Sequence, residues 1–142
     1  MFFMGTFTPK LDEKGRLILP AKFRDRLAEG VVVTRGQERC LVVWPEDVFM
    51  QEASRAQQTP LTQRSARDYA RVLFAGAEQT IVDKQGRISI PLVLRAYAGL
   101  QRDAVVIGVM DRVEIWDPEK WAEYSSVAQA KFAELDESPA PS

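Results

Sequence analysis

The sequence contains no histidine and only one cysteine, Cys40, in 142 residues. Without histidine it lacks the side chain most often used in acid–base catalysis and the partner of Ser–His and Cys–His nucleophile pairs. A single cysteine excludes an intrachain disulfide, and the two scarcities together remove the commonest zinc sites. Enzymes built on carboxylates, lysine or tyrosine remain possible, and no metal or cofactor is predicted.

Long apolar runs and a strong net charge are also missing. No stretch approaches the roughly 18 apolar residues that a membrane span needs, and Met1–Met4 is too short and uncharged to be a signal peptide. We therefore expect a cytoplasmic protein. The net charge is −1, from 19 Lys and Arg against 20 Asp and Glu. Total charge does not mark a polyanion binder, so the positions of the charged residues must decide.

What the sequence does contain is one stretch written twice. Asp12–Pro20 reads DEKGRLILP and Asp83–Pro91 reads DKQGRISIP, at an offset of 83 − 12 = 71 residues. The Asp, Gly, Arg and Pro positions are identical, and the aliphatic positions keep their character. Trp44 aligns with Trp116 after a one-residue insertion. The chain therefore consists largely of a unit of about fifty residues used twice.

The repeated stretch predicts a specific local structure. An Asp, two polar residues and a Gly between apolar residues indicate a tight hairpin loop, with Gly15 and Gly86 at positive φ. The alternation of Leu17 and Leu19 is typical of a half-buried strand. Pro20 ends that strand and can be the first residue of a helix. Each unit therefore places one Asp and one Arg at fixed spacing on a short, stiff loop.

The remaining pattern divides the chain into four segments. We expect repeat 1 over 1–51, a helical connector over 52–76, repeat 2 over 77–124, and a C-terminal helix end with a frayed tail over 125–142. The predicted helices cover 21–27 and 92–98, begin near 44–47, and begin after the N-cap Asp117. The predicted strands cover 5–8, 17–19, 31–34, 40–43, 80–82, 88–90, 104–109 and 113–116.

Two sets of side chains outside the loops have alternative interpretations. Arg64, Arg67 and Arg71 form a basic row on the connector helix, opposite its apolar stripe. This row is either a solvated helix face or a second contact to phosphate or to another subunit. The tryptophans and Phe132 are interpreted as core or subunit packing, since basic residues do not alternate with them as on a single-strand stacking platform.

The paired D-x-x-x-R stretches, each followed by apolar residues and Pro, with W-P and W-D-P after each unit, resemble the MraZ family of the SpoVT-AbrB, or AbrB-like, superfamily. The resemblance covers about residues 1 to 135. It implies an α+β fold in which two tandem swapped-hairpin AbrB-like half-repeats form one pseudo-twofold β-barrel with flanking helices. It also implies a ring-forming homo-oligomer on the nucleoid. This oligomer regulates the division and cell-wall gene cluster by binding short direct repeats in its double-stranded promoter DNA, and it is not an enzyme.

The resemblance also implies the site. Arg16 and Arg87 are the DNA-binding residues and Asp12 and Asp83 are their partners, while Arg24 and Arg95, eight residues further on, contribute as well. Arginine suits forked contacts with phosphate oxygens or with guanine O6 and N7. The aspartates either hold the guanidinium in one direction or accept hydrogen bonds from the loop's own N–H groups. Lys14 and Lys84 sit at different places in the two loops, so we expect unequal contacts from the two halves.

Three functions compete at this point. The first is a sequence-specific DNA-binding regulator whose weak contacts gain affinity by repetition in an oligomer. The second is an oligomeric scaffold whose Asp–Arg pairs join subunits and whose DNA affinity is incidental. The third is a carboxylate-based enzyme, which only the equivalent positions of Asp12 and Asp83 suggest. No small-molecule substrate and no membrane partner are predicted.

Overall fold

A computed structural model describes residues 2–135 of the chain. Its strands are β1 Thr6–Phe7, β2 Arg16–Ile18, β3 Val31–Arg35, β4 Leu41–Pro45, β5 Glu78–Thr80, β6 Arg87–Ser89, β7 Val105–Val109 and β8 Arg112–Trp116. Its helices are α1 Ala21–Leu27, α2 Glu46–Gln57, α3 Arg64–Ala75, α4 Leu92–Ala98 and α5 Pro118–Ala133. The α+β class expected from the sequence is confirmed.

The strand order repeats the internal symmetry of the sequence. Six strands form one sheet in the order β1-β7-β8-β4-β3-β5, and β2 pairs with β6 in a separate two-stranded ribbon. Every one of these pairs is antiparallel. The order is symmetric about the β8–β4 pair, with each first-repeat strand opposite its second-repeat equivalent. The repeats also exchange their first strands, because β1 pairs with β7 and β5 pairs with β3.

The expected closed β-barrel is wrong for the described residues. Strands β1 and β5 are the two edges of an open sheet, and each pairs with a single neighbour. Among residues 2–135 the ribbon pairs with neither edge strand, and one isolated bridge, between Leu17 and Leu11, joins it to the chain beyond β1. Pro20 and Pro91 follow the last hydrogen-bonded residues of the ribbon, Leu19 and Ile90, and carry no N–H to donate, so the ribbon ends there. The ribbon is therefore short and lies as a layer of its own.

Alternation along the central strands β3 and β4 produces a core on each face of the sheet. Val31 and Val33 lie in a core that the ribbon, α1 and α4 complete, while Val32 and Trp44 lie in the core beneath α2 and α3. Residues 31–33 of β3 and 41–44 of β4 are buried on both faces, which explains why these two stretches are uninterrupted apolar runs.

The first of these cores fixes the ribbon in place. The four aliphatic side chains that the ribbon and its flanking residues turn inward are at most 2% exposed: Leu17, Leu19, Ile88 and Ile90. Phe23 of α1 and Leu94 of α4 are buried in the same core. Since the inner face is packed at every second residue, the opposite face of the ribbon points outward.

The predicted helices over 21–27 and 92–98 are confirmed from end to end. The predicted strand over 80–82 is wrong, because β5 ends at Thr80. Thr80 is paired with Val31, the first residue of β3, so no partner strand remains beyond it. Pro20 and Pro91 precede their helices rather than begin them. Asp117 does cap α5, accepting a 3.1 Å hydrogen bond from the Lys120 N–H.

Helix α5 packs on the sheet only near its beginning. Trp121 and Tyr124 lie against Trp116, with ring centroids 5.2 and 5.1 Å away. Phe132, at the other end, is 76% exposed, so it does not pack in the core formed by residues 2–135, and its packing against another subunit stays a prediction. The predicted frayed tail lies largely outside the described residues. Among residues 2–135, no helix combines the length and the apolar character needed to cross a membrane.

Candidate nucleic-acid interface

Each repeated loop is closed by its aspartate. One oxygen of Asp12 accepts hydrogen bonds from the backbone N–H groups of Lys14 and Arg16, both at 2.9 Å. Its other oxygen accepts a 2.7 Å hydrogen bond from Arg16 Nε. The aspartate therefore caps the loop and directs the arginine at the same time, so the two interpretations of its role are both realised geometrically.

The second loop repeats this arrangement. Asp83 accepts from the N–H groups of Gln85 and Arg87 at 2.9 and 2.8 Å, and from Arg87 Nε at 2.8 Å. In both loops Nε is occupied by the carboxylate. Neither terminal Nη group of Arg16 or Arg87 has a hydrogen-bonding partner among residues 2–135. The exposed fractions of these arginine side chains are 30% and 24%, so each guanidinium is held at one edge and free at the other.

The same contacts determine the protonation of the aspartates. The Arg16 backbone N–H, followed by the Arg16 guanidinium and the Lys14 N–H, lowers the pKa of Asp12 despite an opposing effect of burial. The pKa of Asp83 is lowered for the same reasons, beginning with the Arg87 N–H. A carboxyl that ionises this readily holds no proton to donate at neutral pH. The loops are therefore poor candidates for general-acid chemistry.

The ribbon places the two loops at its opposite ends. Arg16 is paired with Ser89 and Ile18 with Arg87, in antiparallel register. Leu19 N–H donates to the Gly86 carbonyl, and Ile90 N–H donates to the Gly15 carbonyl, both at 2.9 Å. Each loop is thus attached to the strand of the other repeat, and the spacing between Arg16 and Arg87 is fixed by backbone hydrogen bonds.

The second pair of predicted arginines crosses from one repeat to the other. Arg95, from α4, donates from Nε to the Ile90 carbonyl at 2.9 Å and lies against the first loop. A Cβ added at Gly15 would lie only 2.6 Å from Arg95 Cζ. Gly15, at φ +76°, therefore has two reasons to be glycine: its backbone conformation and the close approach of Arg95.

Arg24 makes the matching contact in the other direction. Its Nε and Nη2 donate to the Leu19 carbonyl at 3.1 and 2.9 Å, and its guanidinium covers Gly86. Each loop therefore carries one arginine from its own repeat and one from the other. Sequence spacing contains no signal of this exchange, because Arg24 lies eight residues after Arg16 in its own repeat, and Arg95 lies eight residues after Arg87.

The lysines of the two loops differ in position, as expected. Lys14 and Lys84 are both exposed. The Lys14 N–H bonds to Asp12, whereas in the second loop that hydrogen bond comes from Gln85, one residue beyond Lys84. The lysines consequently extend from non-equivalent points of the two loops.

Two residues of the outward face were missed from the sequence. Ile18 is 49% exposed between the two arginines, and Ser89, its equivalent in the second repeat (18 + 71 = 89), is also exposed. The signal was present, because strand alternation with Leu17 and Leu19 inward turns Ile18 outward.

Comparison of the sequence with known proteins identifies its family. The family model of the MraZ protein matches the chain twice, over residues 2–72 and 73–139. The two matches begin 73 − 2 = 71 residues apart, the offset of the repeated loops. The chain belongs to the MraZ family. The family match does not test the finer boundaries proposed above, which stay a prediction.

Individual MraZ relatives match over nearly their whole length. The chain is 75% identical over 140 residues to the transcriptional regulator MraZ of a Nocardioides species, covering 99% of this chain and 97% of the relative. It is 54% identical to the transcriptional regulators MraZ of Micrococcus luteus and Salinispora tropica, covering 98% of this chain and 97% and 98% of those proteins.

Other charged and concave features of this MraZ family member lie away from the ribbon. In the connector row, Arg67 donates to the Leu61 and Thr62 carbonyls, and Arg64 lies 3.9 Å from Asp68. A cavity of about 740 Å³ opens on the other face of the six-stranded sheet, with Trp44 and Trp116 in its lining. Neither feature contributes a side chain to the two loops.

Proposed function

We propose that the chain is a sequence-specific DNA-binding transcriptional regulator that reads duplex DNA with the outer face of the β2–β6 ribbon. One observation carries the proposal: Arg16 and Arg87 are fixed through Nε by Asp12 and Asp83, while their Nη groups stay free. A two-stranded antiparallel ribbon fits the major groove, where arginine makes forked contacts with guanine. Because both guanidiniums are held in place before binding, little side-chain entropy is lost when they meet a base.

The local charge supports this interface although the whole chain carries −1. The first loop brings together Arg16, Arg95 and the exposed Lys14 against two carboxylates, the paired Asp12 and the exposed Glu13, for a net charge of 3 − 2 = +1. The second loop brings together Arg87, Arg24 and Lys84 against the single carboxylate of Asp83, for a net charge of 3 − 1 = +2. Arg95 and Arg24 donate from Nε to backbone carbonyls, which neutralise no charge. Each end of the ribbon therefore keeps a positive excess suited to phosphate, and the excess is larger at the second loop.

Contacts from one protomer are few, so assembly must multiply them. We propose a homo-oligomeric ring whose protomers each contact one of several short direct repeats. The targets would lie in the promoter of the division and cell-wall gene cluster, with the protein on the nucleoid. Exposed apolar residues of α5, including Val127 at 57% and Phe132 at 76%, supply surface for contacts between protomers.

The test is binding of the purified protein to the DNA upstream of its own gene at rising salt. Arg16→Ala with Arg87→Ala should abolish the footprint, because each lost forked contact with guanine costs about 1–3 kcal/mol. Arg64→Ala with Arg71→Ala removes the same number of charges from the exposed face of α3 and serves as the matched control. Equal binding by the parent and the ribbon variant would refute the proposal.

The second candidate is an oligomeric scaffold with incidental DNA affinity, which the exposed apolar side of α5 favours. Light scattering separates the two functions. A scaffold held together by the Asp–Arg loops should change in mass when Arg16 and Arg87 are replaced. A regulator should keep its oligomer mass in this variant and lose only its DNA binding.

A further inference from the structure

The outer face of the ribbon is formed by four side chains in two cross-strand pairs. Arg16 lies opposite Ser89, and Ile18 lies opposite Arg87. Cross-strand neighbours on one face have Cβ atoms about 5 Å apart, and successive outward residues on a strand are separated by about 7 Å. The four side chains therefore form one compact patch, comparable in length to two base-pair steps.

This patch is symmetric in its arginines and asymmetric in the residues between them. The internal repeat places Arg16 and Arg87 at equivalent positions, and likewise Ile18 and Ser89. Ile18 presents an aliphatic side chain that is 49% exposed, and Ser89 presents a hydroxyl. Nothing within residues 2–135 covers the exposed half of Ile18.

We infer that Ile18 is a specificity-determining residue that contacts the C5-methyl group of a thymine beside the base read by Arg87. This inference rests on the proposed function and names one chemical feature that the site recognises. In the major groove the thymine methyl is the apolar group that a base edge offers, and aliphatic side chains recognise it. Ile18 lies directly opposite Arg87. When Arg87 contacts a guanine, Ile18 is therefore placed at the neighbouring base pair.

Ser89 gives the other half of the ribbon a different preference. Its hydroxyl can donate to or accept from a base edge and has no apolar surface for a methyl group. One end of the ribbon thus selects a methyl next to its arginine contact and the other does not. A bound DNA element consequently has a direction, although the two arginines alone would read both strands alike.

Thymine-to-deoxyuridine replacement tests this inference, because it deletes the C5-methyl and leaves base pairing intact. Each thymine of the protected region is replaced in turn, and binding is measured by fluorescence anisotropy with the parent, Ile18→Ala and Ser89→Ala. One thymine in each element should weaken binding by the parent about fourfold when it becomes deoxyuridine, as expected for one buried methyl. That effect should vanish in Ile18→Ala, persist in Ser89→Ala, and return in Ile18→Val.

Four results would overturn the inference. A deoxyuridine effect of equal size in the parent and in Ile18→Ala would assign the methyl contact elsewhere. Absence of any effect in the parent, with its footprint and Arg16 and Arg87 dependence intact, would show that no methyl is read and would leave the proposed function standing. A change in oligomer mass on Ile18→Ala would make the residue a subunit contact. If the parent does not bind DNA, both proposals fail together.

Discussion

The close approach of Arg95 to Gly15 predicts an unusually large penalty for a small substitution. In Gly15→Ala, the residue must adopt φ +76°, which costs an L-residue about 1–2 kcal/mol. The new Cβ would also lie 2.6 Å from Arg95 Cζ and 2.7 Å from Nε, so the guanidinium must leave the Ile90 carbonyl. Losing that charged hydrogen bond costs about 1.5–3 kcal/mol. We expect a total destabilisation of about 2.5–5 kcal/mol, the sum of these two contributions.

A matched control separates the two contributions. Gly99 has a similar φ of +68°, and an added Cβ would lie 2.7 Å from Lys120 Nζ, whose hydrogen bond to the Ala98 carbonyl is long, at 3.3 Å. Gly99→Ala should therefore cost the conformational penalty of about 1–2 kcal/mol together with only this weak hydrogen bond. In an Arg95→Ala background, Gly15→Ala should cost no more than this control, because the clash is gone.

Urea unfolding at one fixed protomer concentration measures these differences, since oligomerisation would make the midpoint depend on concentration. The double-mutant cycle for Gly15 and Arg95 should give a coupling of about 2 kcal/mol. A coupling below about 0.5 kcal/mol, the usual size of non-additivity for independent sites, would refute the account of Arg95 as a cross-repeat contact.

Two further predictions concern pH and the second core. The lowered pKa values of Asp12 and Asp83 mean that their contribution to stability is complete above the ordinary value of 3.8 and is lost as pH falls through the folded-state pKa. In Asp12→Asn with Asp83→Asn, the free energy of unfolding measured in urea should therefore fall less steeply below about pH 4 than in the parent. Equal pH dependence in the two proteins would contradict the prediction. Trp44 Nε1 has no acceptor among residues 2–135, whereas Trp116 Nε1 donates to Glu114 at 3.0 Å. Trp44→Phe should therefore destabilise the protein by about 1 kcal/mol less than Trp116→Phe in the same unfolding assay, and a reversed order would contradict it.

Sequence alone predicted the features that local chemistry determines. Gly15 and Gly86 fix the loops through their positive φ, and Leu17 with Leu19 fixes the inward face of the ribbon by alternation. Helix α1 could be placed because Phe23 and Leu27 are spaced for one buried face. Each of these elements needs only a few neighbouring residues to specify it.

Features that depend on distant partners could not be predicted. The sheet stays open because the ribbon pairs with neither of its edge strands, β1 and β5, and no residue of the ribbon signals this in the sequence. The exchange of Arg24 and Arg95 between loops follows from the antiparallel pairing of β2 with β6, which joins residues 71 apart in the chain. No local pattern encodes that pairing. The family resemblance predicts a DNA-binding role for these arginines and does not indicate which loop each one covers.

Carrying both repeats on one chain has a consequence for recognition. Two identical subunits sharing a twofold axis would present identical outer faces and would suit an inverted repeat. In this chain the equivalent residues of the two repeats are alike where they are buried in the core, at Leu17 and Ile88. They differ on the exposed outer face of the ribbon, at Ile18 and Ser89. On the proposed function, each protomer therefore reads its DNA element in one direction. Protomers joined head to tail would then align with elements repeated in the same direction, because a heterologous contact preserves polarity from one protomer to the next.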